Sequence, residues 1–270
     1  MSTQAEKAER FLALHHGETP LLMPNAWDAG SAKLFASLGF QAIATTSSGH
    51  AATLGRLDGS VTRDEALEHA STIVGATDLP VSADFENGFA DDPAAVAANV
   101  ALAAATGLAG CSVEDYARDS AEIYELGLAV ERVAAAAEAA HAGAARMVLT
   151  ARAENLIRGR PDLDDTISRL QAYQVAGADV LYAPGLSDPD AIRRVVAAVD
   201  VPVNVLALPN APTIAELGDI GVARVSVGGT FAWVAMGAVV TAARELLDSG
   251  TYGFFAAAAP ARAAREAFGS

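Results

Sequence analysis

Acidic side chains crowd the ends of two short apolar segments of the chain. Asp84 and Glu86 lie at the end of one segment, and Glu114 lies at the end of the next. Carboxylates that lie close together repel one another unless a proton or a cation lies between them. Oxygen ligands without His or Cys favour Mg²⁺, with Mn²⁺ as the alternative, and Mg²⁺ usually keeps several waters. Asp58, in a long loop, could reach the same ion, so these four residues are the predicted metal ligands.

Arg152 ends a third apolar segment and is the predicted partner of a substrate carboxylate or phosphate. Its planar guanidinium can donate two parallel hydrogen bonds to such a group. An alternative role is a salt bridge to Glu114 or Glu154, and the acids could equally cap helices or pair with Arg152. The turn from 47 to 50 could also offer backbone N–H groups to an anion, although such turns are common.

Segments of strand length alternate eight times with helix-compatible segments. The predicted strands are Leu21–Pro24, Ala42–Thr46, Val81–Asp84, Gly110–Glu114, Met147–Ala151, Asp179–Tyr182, Val203–Val205 and Arg224–Val227. Nearly continuous apolar strands indicate a parallel sheet, and eight strand–helix units favour a closed (β/α)8 TIM barrel over a doubly wound open sheet. We expect one domain over residues 1–270, with an extra N-terminal helix over 1–15 and an extra C-terminal helix over 254–268.

Strand alternation predicts which side chains face the inside of the barrel. Successive residues of a strand point to opposite faces, so Asp84 and Glu86 share one face, and Glu114 and Arg152 occupy the same face of their own strands. Active sites of such barrels lie at the carboxyl ends of the strands. Three adjacent strands are therefore predicted to direct these four side chains into one opening at the carboxyl end of the barrel, which we call the mouth.

Composition excludes several classes of protein. The 270 residues include 33 acidic side chains and 18 Lys plus Arg, for a formal net charge of −15, which argues against a nucleic-acid-binding face. The single cysteine, Cys111, excludes an internal disulfide and fits a reducing compartment. No unbroken apolar run suggests a membrane span. We therefore expect a cytoplasmic protein with no nucleic-acid or membrane partner.

Two other classes of barrel enzyme fit less well. An aldolase of the Schiff-base type needs a lysine near a strand end, but the lysines are Lys7 and Lys33, both in predicted helices. The segment 227–229 before the last helix resembles the phosphate cup of a phosphosugar isomerase. That class would leave the acidic cluster unexplained.

Five motifs in order resemble the isocitrate lyase/phosphoenolpyruvate mutase superfamily. They are Ser48-Gly49, Asp58, Asp84-Phe85-Glu86-Asn87-Gly88, Val113-Glu114-Asp115 and Ala151-Arg152-Ala153-Glu154. The resemblance implies that Asp84 binds Mg²⁺ directly, while Asp58, Glu86 and Glu114 hold it through water. It also implies that Ser48, Gly49 and Arg152 hold the 2-oxo carboxylate end of the substrate, and that a metal-stabilised enolate forms.

The sequence departs from this superfamily in two places. Isocitrate and methylisocitrate lyases carry a Lys-Lys-Cys-Gly-His stretch in the loop after strand four, whereas residues 115–120 here read DYARDS. Cleavage of isocitrate is therefore not expected, and the Lys and Asn positions of the phosphonate-forming mutases are also absent. In addition, Glu86 replaces the usual Asp. Tyr116, Arg118, His50 and Tyr182 are the candidate proton donors.

The sequence thus predicts a Mg²⁺-dependent carbon–carbon lyase or decarboxylase that acts on a small, oxaloacetate-like 2-oxo acid. Arg152, Glu114, Tyr116 and His50 are the predicted catalytic residues. The predicted substrate contacts are Ser48, Gly49, His50, Trp27, Arg152 and Asn204. The alternatives are a C–P bond mutase or hydrolase of the phosphonopyruvate type and a non-catalytic 2-oxo acid binder. Because superfamily members are typically dimers of dimers that exchange a C-terminal helix, the resemblance implies a dimer or tetramer in which 254–268 is exchanged.

Overall fold

The computed structural model describes residues 2–269, in which parallel strands close into a barrel surrounded by helices. The barrel strands are β1 (Leu21–Met23), β2 (Asn25–Ala26), β3 (Ile43–Thr45), β4 (Val81–Asp84), β5 (Gly110–Glu114), β8 (Val148–Arg152), β9 (Val180–Tyr182), β10 (Val203–Leu206) and β11 (Arg224–Ser226), while β6 (Tyr116–Ala117) and β7 (Glu122–Ile123) form a separate hairpin. The predicted (β/α)8 barrel is confirmed.

Helices follow the strands as the alternating pattern predicts. They are α1 (Gln4–Leu14), α2 (Ala29–Ser37), α3 (Ser47–Thr53), α4 (Arg63–Ala76), α5 (Pro93–Ala105), α6 (Leu126–His141), α7 (Leu163–Val175), α8 (Pro189–Ala197), α9 (Ile214–Ile220), α10 (Thr230–Ser249), α11 (Phe254–Ala257) and α12 (Arg262–Phe268). A short 3₁₀ turn over Ala259–Ala261 lies between the last two. Of the predicted first helix, Met1 lies outside the described residues.

The barrel closes through its first strand, which is split in two. β1 pairs with β11 and β2 pairs with β3, both in parallel. Pro24 separates the halves because it lacks a backbone N–H to donate to the sheet. Its carbonyl still accepts from Ala44 N at 2.9 Å. β1 and β2 therefore act as one barrel strand, which gives eight in all.

Side-chain alternation sorts each strand as the sequence predicts. Cys111 and Val113 are buried against the surrounding helices, whereas Ser112, the residue between them, lines a cavity inside the barrel. Ser82 and Arg152 line the same cavity from neighbouring strands. The carboxyl ends of β4, β5 and β8 thus share one mouth.

The N-terminal helix α1 covers the opposite end of the barrel. Phe11 is fully buried within a cluster of strand residues that includes Val148 and Val180. A Cβ atom on Gly110 would lie 2.9 Å from Phe11 Cε1, so the absence of a side chain lets the ring pack beneath the strand. The barrel is therefore sealed at this end and open at the other.

The C-terminal helices differ in how much of their surface is packed against the rest of the chain. α12 packs against α2 of the same chain, and Phe268 lies against Gly30 there. α10 is mostly exposed and buries only Ala232. α10 is long and apolar enough on average to cross a membrane, although Gly237, Arg244 and Asp248 interrupt its apolar run, in keeping with the absence of an unbroken apolar run in the sequence. Its first turn is nevertheless packed on the barrel, with the Phe231 ring 5.8 Å from Phe35.

Candidate active site

Arg152 lies at the centre of the mouth and contacts three carboxylates. Its Nη1 lies 2.8 Å from Asp84 Oδ1, and its Nη2 lies 3.0 Å from Glu114 Oε2 and 2.8 Å from Glu154 Oε1. Parallel pairing brings these residues together, since Arg152 lies directly opposite Glu114. The structure therefore gathers the predicted acids around the predicted substrate-binding arginine, in the salt bridges named as its alternative role.

Asp84 is also held from the neighbouring strand. Its Oδ2 accepts hydrogen bonds from Ser47 N at 3.1 Å and Ser47 Oγ at 2.9 Å. Its backbone N donates to Thr45 Oγ1 at 2.9 Å. Both oxygens of this carboxylate therefore have positively polarised partners in the metal-free chain.

Glu86 follows in a strained loop. Its φ is +48°, a region that residues other than glycine seldom adopt. The side chain is buried and lies 2.5 Å from Arg118 Nη1. Burial raises the pKa of Glu86 to about 7 despite the opposing charge of Arg118, with Asp84 and Asp58 adding to the rise.

The pKa of Glu114 is raised in the same way. Burial raises its pKa well above the ordinary value, Arg152 opposes that rise, and Glu154 and Asp84 add to it. Two carboxyl groups in one mouth are thus poorly stabilised in their charged form. A bound cation would relieve both.

The predicted metal ligands do not form a preorganised metal site. Within residues 2–269, no three His, Cys, Asp or Glu side chains are arranged to hold a metal ion. Arg152 and Arg118 lie against the carboxylates instead, and Asp58 Oδ1 accepts from Gly59 N at 3.1 Å. Asp84, Glu86 and Glu114 are nevertheless close enough to perturb one another, and an oxygen-only donor set suits Mg²⁺ bound largely through water.

Two adjoining cavities open beside Arg152. The inner one has a volume of about 170 Å³ and extends into the barrel. The outer one has a volume of about 430 Å³ and lies under the hairpin β6–β7. Ser47, Asp58 and Arg152 line both, so a small ligand could contact the acids and Arg152 together.

Tyr116 and Arg118 of the hairpin segment line the outer cavity together with Arg158, which follows β8. The Arg158 guanidinium carbon lies 3.7 Å from the centre of the Tyr116 ring. Arg158 Nη2 lies 3.4 Å from Glu154 Oε2 and 3.7 Å from Glu114 Oε1. Tyr116 is therefore near the carboxylate rim, as expected of a catalytic candidate.

His50 and Trp27 do not line either of these two cavities. Residues 47–53 form α3 rather than an open turn, and the His50 ring stacks on His69 with ring centres 3.9 Å apart. His50 lines a smaller cavity that Asp84 and Glu86 also line, so its predicted contact with substrate stays a prediction. Burial lowers the pKa of His50. The Trp27 ring packs edge-to-face on Phe35 at 6.0 Å and belongs to the core.

The other predicted substrate contacts lie at or near the inner cavity. Ser48 and Asn204 line it, and Ser48 Oγ accepts from Trp233 Nε1 at 3.1 Å. The Gly49 N–H already donates to Thr46 Oγ1 at 3.2 Å as part of the helix cap. A Cβ atom on Gly49 would lie 2.6 Å from Thr46 Cγ2, so close packing requires glycine here.

Comparison with known proteins agrees with the fold. The family model described as phosphoenolpyruvate phosphomutase matches residues 11–247. The chain belongs to the isocitrate lyase/phosphoenolpyruvate mutase superfamily. Several relatives are named as carbon–carbon lyases, and the chain is accordingly an enzyme of lyase type.

Individual members of the superfamily resemble the chain over most of its length. A solved structure of a protein from Burkholderia cenocepacia J2315, provisionally classed as a lyase/mutase, is 48% identical, with a TM-score of 0.94, and the match covers 99% of this chain and 97% of that one. A 2-methylisocitrate lyase of Salmonella typhimurium is 31% identical, with 72% of this chain and 68% of that protein covered. An oxaloacetate decarboxylase of Chromohalobacter salexigens is 29% identical, with 86% and 82% covered.

In this superfamily member, the sequence patterns did not predict the roles of Ser47 and Arg132 at the rim. Ser47 holds Asp84, whereas the contact of Glu154 with Arg152 is the salt bridge named above as an alternative. Arg132 donates to the backbone carbonyls of Glu114, Asn87, Ala90 and Asp91. Arg132 lies inside an apolar helix pattern, which gave no signal of this role.

Proposed function

We propose that the protein is a Mg²⁺-dependent lyase or decarboxylase acting on a small 2-oxo acid that carries a substituent at C3, such as an oxaloacetate-like acid. The observation that carries this proposal is the Arg152 guanidinium, which lies among the carboxylates of Asp84, Glu114 and Glu154 and beside a cavity of about 170 Å³. A guanidinium pairs well with a substrate carboxylate. The similarity to an oxaloacetate decarboxylase and to a 2-methylisocitrate lyase supports the same class of substrate.

In this proposal Asp84 holds the cation directly, and Asp58, Glu86 and Glu114 hold it through water. The raised pKa values of Glu86 and Glu114 support it, because a cation would stabilise their charged forms. When bound, Mg²⁺ supplies a Lewis acid for the negative charge that develops on the 2-oxo group as the C3 bond breaks. Mn²⁺ is the alternative ion.

Arg152 would exchange partners in this mechanism. Its guanidinium pairs with Asp84, Glu114 and Glu154. If Asp84 held a cation, an N–H of Arg152 would be available to orient the substrate carboxylate, with Ser48 and Asn204 along the cavity wall. The fork would then hold the 2-oxo acid in one orientation at the rim.

When the C3 bond breaks, its electron pair stays with the 2-oxo acid, so the C3 carbon left behind needs a proton. Tyr182 lines the inner cavity and Tyr116 the outer one. Burial raises the pKa of Tyr182 to about 12, so its hydroxyl is protonated at neutral pH. Glu114, whose pKa is raised, could likewise hold and pass on a proton. His50 lines a small cavity with Asp84 and Glu86 and stays a candidate.

A C–P bond mutase or hydrolase of the phosphonopyruvate type is the second candidate, favoured by the matching phosphomutase family model. A panel of 2-oxo acids with different C3 substituents, incubated with Mg²⁺ or EDTA and read by product mass, separates the candidates. We expect Mg²⁺-dependent loss of a carbon fragment. A phosphorus-containing product would favour the second candidate, and binding without turnover would identify a non-catalytic binder.

We further propose that a second copy of the chain covers α10 in a dimer or tetramer. α10 exposes large apolar side chains, among them Trp233, Val234, Val239 and Leu247. Because α12 packs on α2 of its own chain, α10 is the better candidate for the helix exchanged between subunits than 254–268. The single buried thiol, Cys111, supports a cytoplasmic location.

A further inference from the structure

Arg224 is a buried cation inside the barrel that the mechanism above does not use. It extends from β11, is 3% exposed, and lines the inner cavity. Its Nη2 donates to Thr150 Oγ1 at 3.2 Å. Thr150 precedes Arg152 by two residues on the same strand, which is about 7 Å along the strand. Arg224 therefore contacts this strand deeper in the barrel than the position of Arg152.

The partners of Arg224 are all neutral. Its Nε donates to Asn204 Oδ1 at 2.9 Å, and its Nη1 lies 3.1 Å from His15 Nε2. His15 Nδ1 lies 2.8 Å from the Phe11 carbonyl, so it donates there and leaves Nε2 as the acceptor. Burial, followed by the charge of Arg224, lowers the pKa of His15 to about 3. His15 is therefore uncharged at neutral pH.

The charge of Arg224 has no counter-charge in the described chain. Across residues 2–269, no carboxylate lies within 4.0 Å of its guanidinium nitrogens, in contrast to the three around Arg152. Burying an unpaired charge is costly. Burial lowers the pKa of Arg224 to about 9, opposed by Tyr182. The group still carries its charge at neutral pH.

Polar side chains lie along the inner cavity beside Arg224. Ser82, Ser112 and Ser226 line it together with Asn204. The acids that line the same cavity, Asp58 and Asp84, form no salt bridge with Arg224 within the described chain, and Asp84 pairs with Arg152 instead. A cavity of about 170 Å³ that leads from Arg152 to a second, unpaired arginine suits a small acid with two anionic groups.

We propose that Arg224 binds a second acidic group of the substrate, so that the site selects a 2-oxo acid whose C3 substituent is a carboxylate. This inference rests on the proposed function for the 2-oxo end, which Arg152 and the rim hold. One anionic group then pairs with Arg152 and the other with Arg224. The second acidic group of the substrate then supplies the negative charge that balances the Arg224 guanidinium.

The test compares ligands that differ only in the second acidic group. Dissociation constants of oxaloacetate and pyruvate are measured by calorimetry in EDTA, so that metal-dependent turnover of oxaloacetate does not disturb the titration. Oxalate, which has no C3 carbon, is titrated alongside with Mn²⁺ and tests the proposed function alone. The variants are Arg224→Met and His15→Glu, the second of which replaces the neutral partner of Arg224 Nη1 with a carboxylate. Arg194→Met, an exposed arginine paired with Asp164, controls for the change in net charge.

We expect the unaltered chain and Arg194→Met to bind oxaloacetate roughly tenfold or more tightly than pyruvate, as for a charge-assisted hydrogen bond. Arg224→Met and His15→Glu should bring that ratio close to one and leave oxalate affinity unchanged. Equal weakening of both ligands, or a ratio near one in the unaltered chain, would overturn the role of Arg224. If Arg224→Met does not fold, His15→Glu decides. Failure of oxalate to bind contradicts the proposed function, while the ratio in EDTA still decides the role of Arg224.

Discussion

Arg152 Nη1 lies 2.8 Å from Asp84 Oδ1, so the predicted substrate-binding cation is paired with the predicted metal-binding carboxylate. One positive charge balances the Asp84 carboxylate in the metal-free chain. A divalent ion at Asp84 would replace that balance and release Arg152 toward a ligand. Binding of metal and of 2-oxo acid should therefore be positively coupled.

Replacing Arg152 with lysine should weaken 2-oxo acid binding much more than metal binding. A lysine keeps the charge but cannot donate two parallel hydrogen bonds. We expect oxalate affinity to fall by roughly ten- to hundredfold, with Mn²⁺ affinity changed by less than about threefold. Calorimetry measures the first and electron paramagnetic resonance the second, with Arg194→Lys as the control. Equal losses for both ligands would count against the assignment.

Replacing Asp84 with alanine should abolish Mn²⁺ binding while the barrel stays folded. Asp84 lies at the rim and is partly exposed, so its removal leaves the apolar core intact. Mn²⁺ titration followed by electron paramagnetic resonance, with circular dichroism as the check on folding, measures both. Asp164→Ala, an exposed acid on α7, is the matched control. Retained Mn²⁺ affinity in Asp84→Ala would refute its role as the direct ligand.

Metal affinity should rise with pH through about 7. The pKa of Glu86 is raised to about 7, so below that pH its carboxyl is protonated and a poorer partner for a hydrated cation. The same raised pKa means that the unfolding free energy of the metal-free chain falls between about pH 4.5 and 7, by at most about 3 kcal/mol.

Mn²⁺ dissociation constants and urea unfolding, both followed from pH 5 to 8, check this dependence. In Glu86→Gln the contribution of this group to both profiles should vanish. A Glu86→Gln variant with the pH profile of the unaltered chain would mean that another group controls metal binding.

Charged substitutions on α10 should dissociate the oligomer. Val239 and Leu247 are 68% and 83% exposed in the single chain, and burying them between copies would stabilise the assembly by about 1.5–3 kcal/mol each. Val239→Glu with Leu247→Glu should shift the mass in analytical ultracentrifugation toward the monomer. Val175→Glu, at an equally exposed apolar position on α7, should leave the mass unchanged. A monomeric unaltered chain would contradict the proposed interface.

The barrel could be predicted because its signals are local and repeat eight times. Alternation within strands also places Asp84, Glu114 and Arg152 on the inner face, where the structure brings them together. The split at Pro24 follows from its missing N–H and was a readable signal. The exposure of α10 was not, since an apolar helix pattern does not say which surface covers it.

Site details depend on side-chain directions that a sequence does not specify. Residues 47–50 looked like an open turn, but Thr46 caps a short helix there, so His50 stacks on His69 and lines a smaller cavity instead of the two beside Arg152. Arg224 occurs in a predicted strand, and only the closed barrel shows that its guanidinium lacks a carboxylate. Distances across the barrel join residues far apart in the chain, which spacing rules cannot predict.

A titration of oxalate into the unaltered chain, with Mn²⁺ and again with EDTA, tests the central claim most directly. Oxalate carries the two adjacent oxygens that a rim-bound cation and Arg152 would hold. We predict saturable binding with Mn²⁺ and a loss of affinity of about a hundredfold or more in EDTA. Equal affinity in both conditions, or no binding in either, would contradict it.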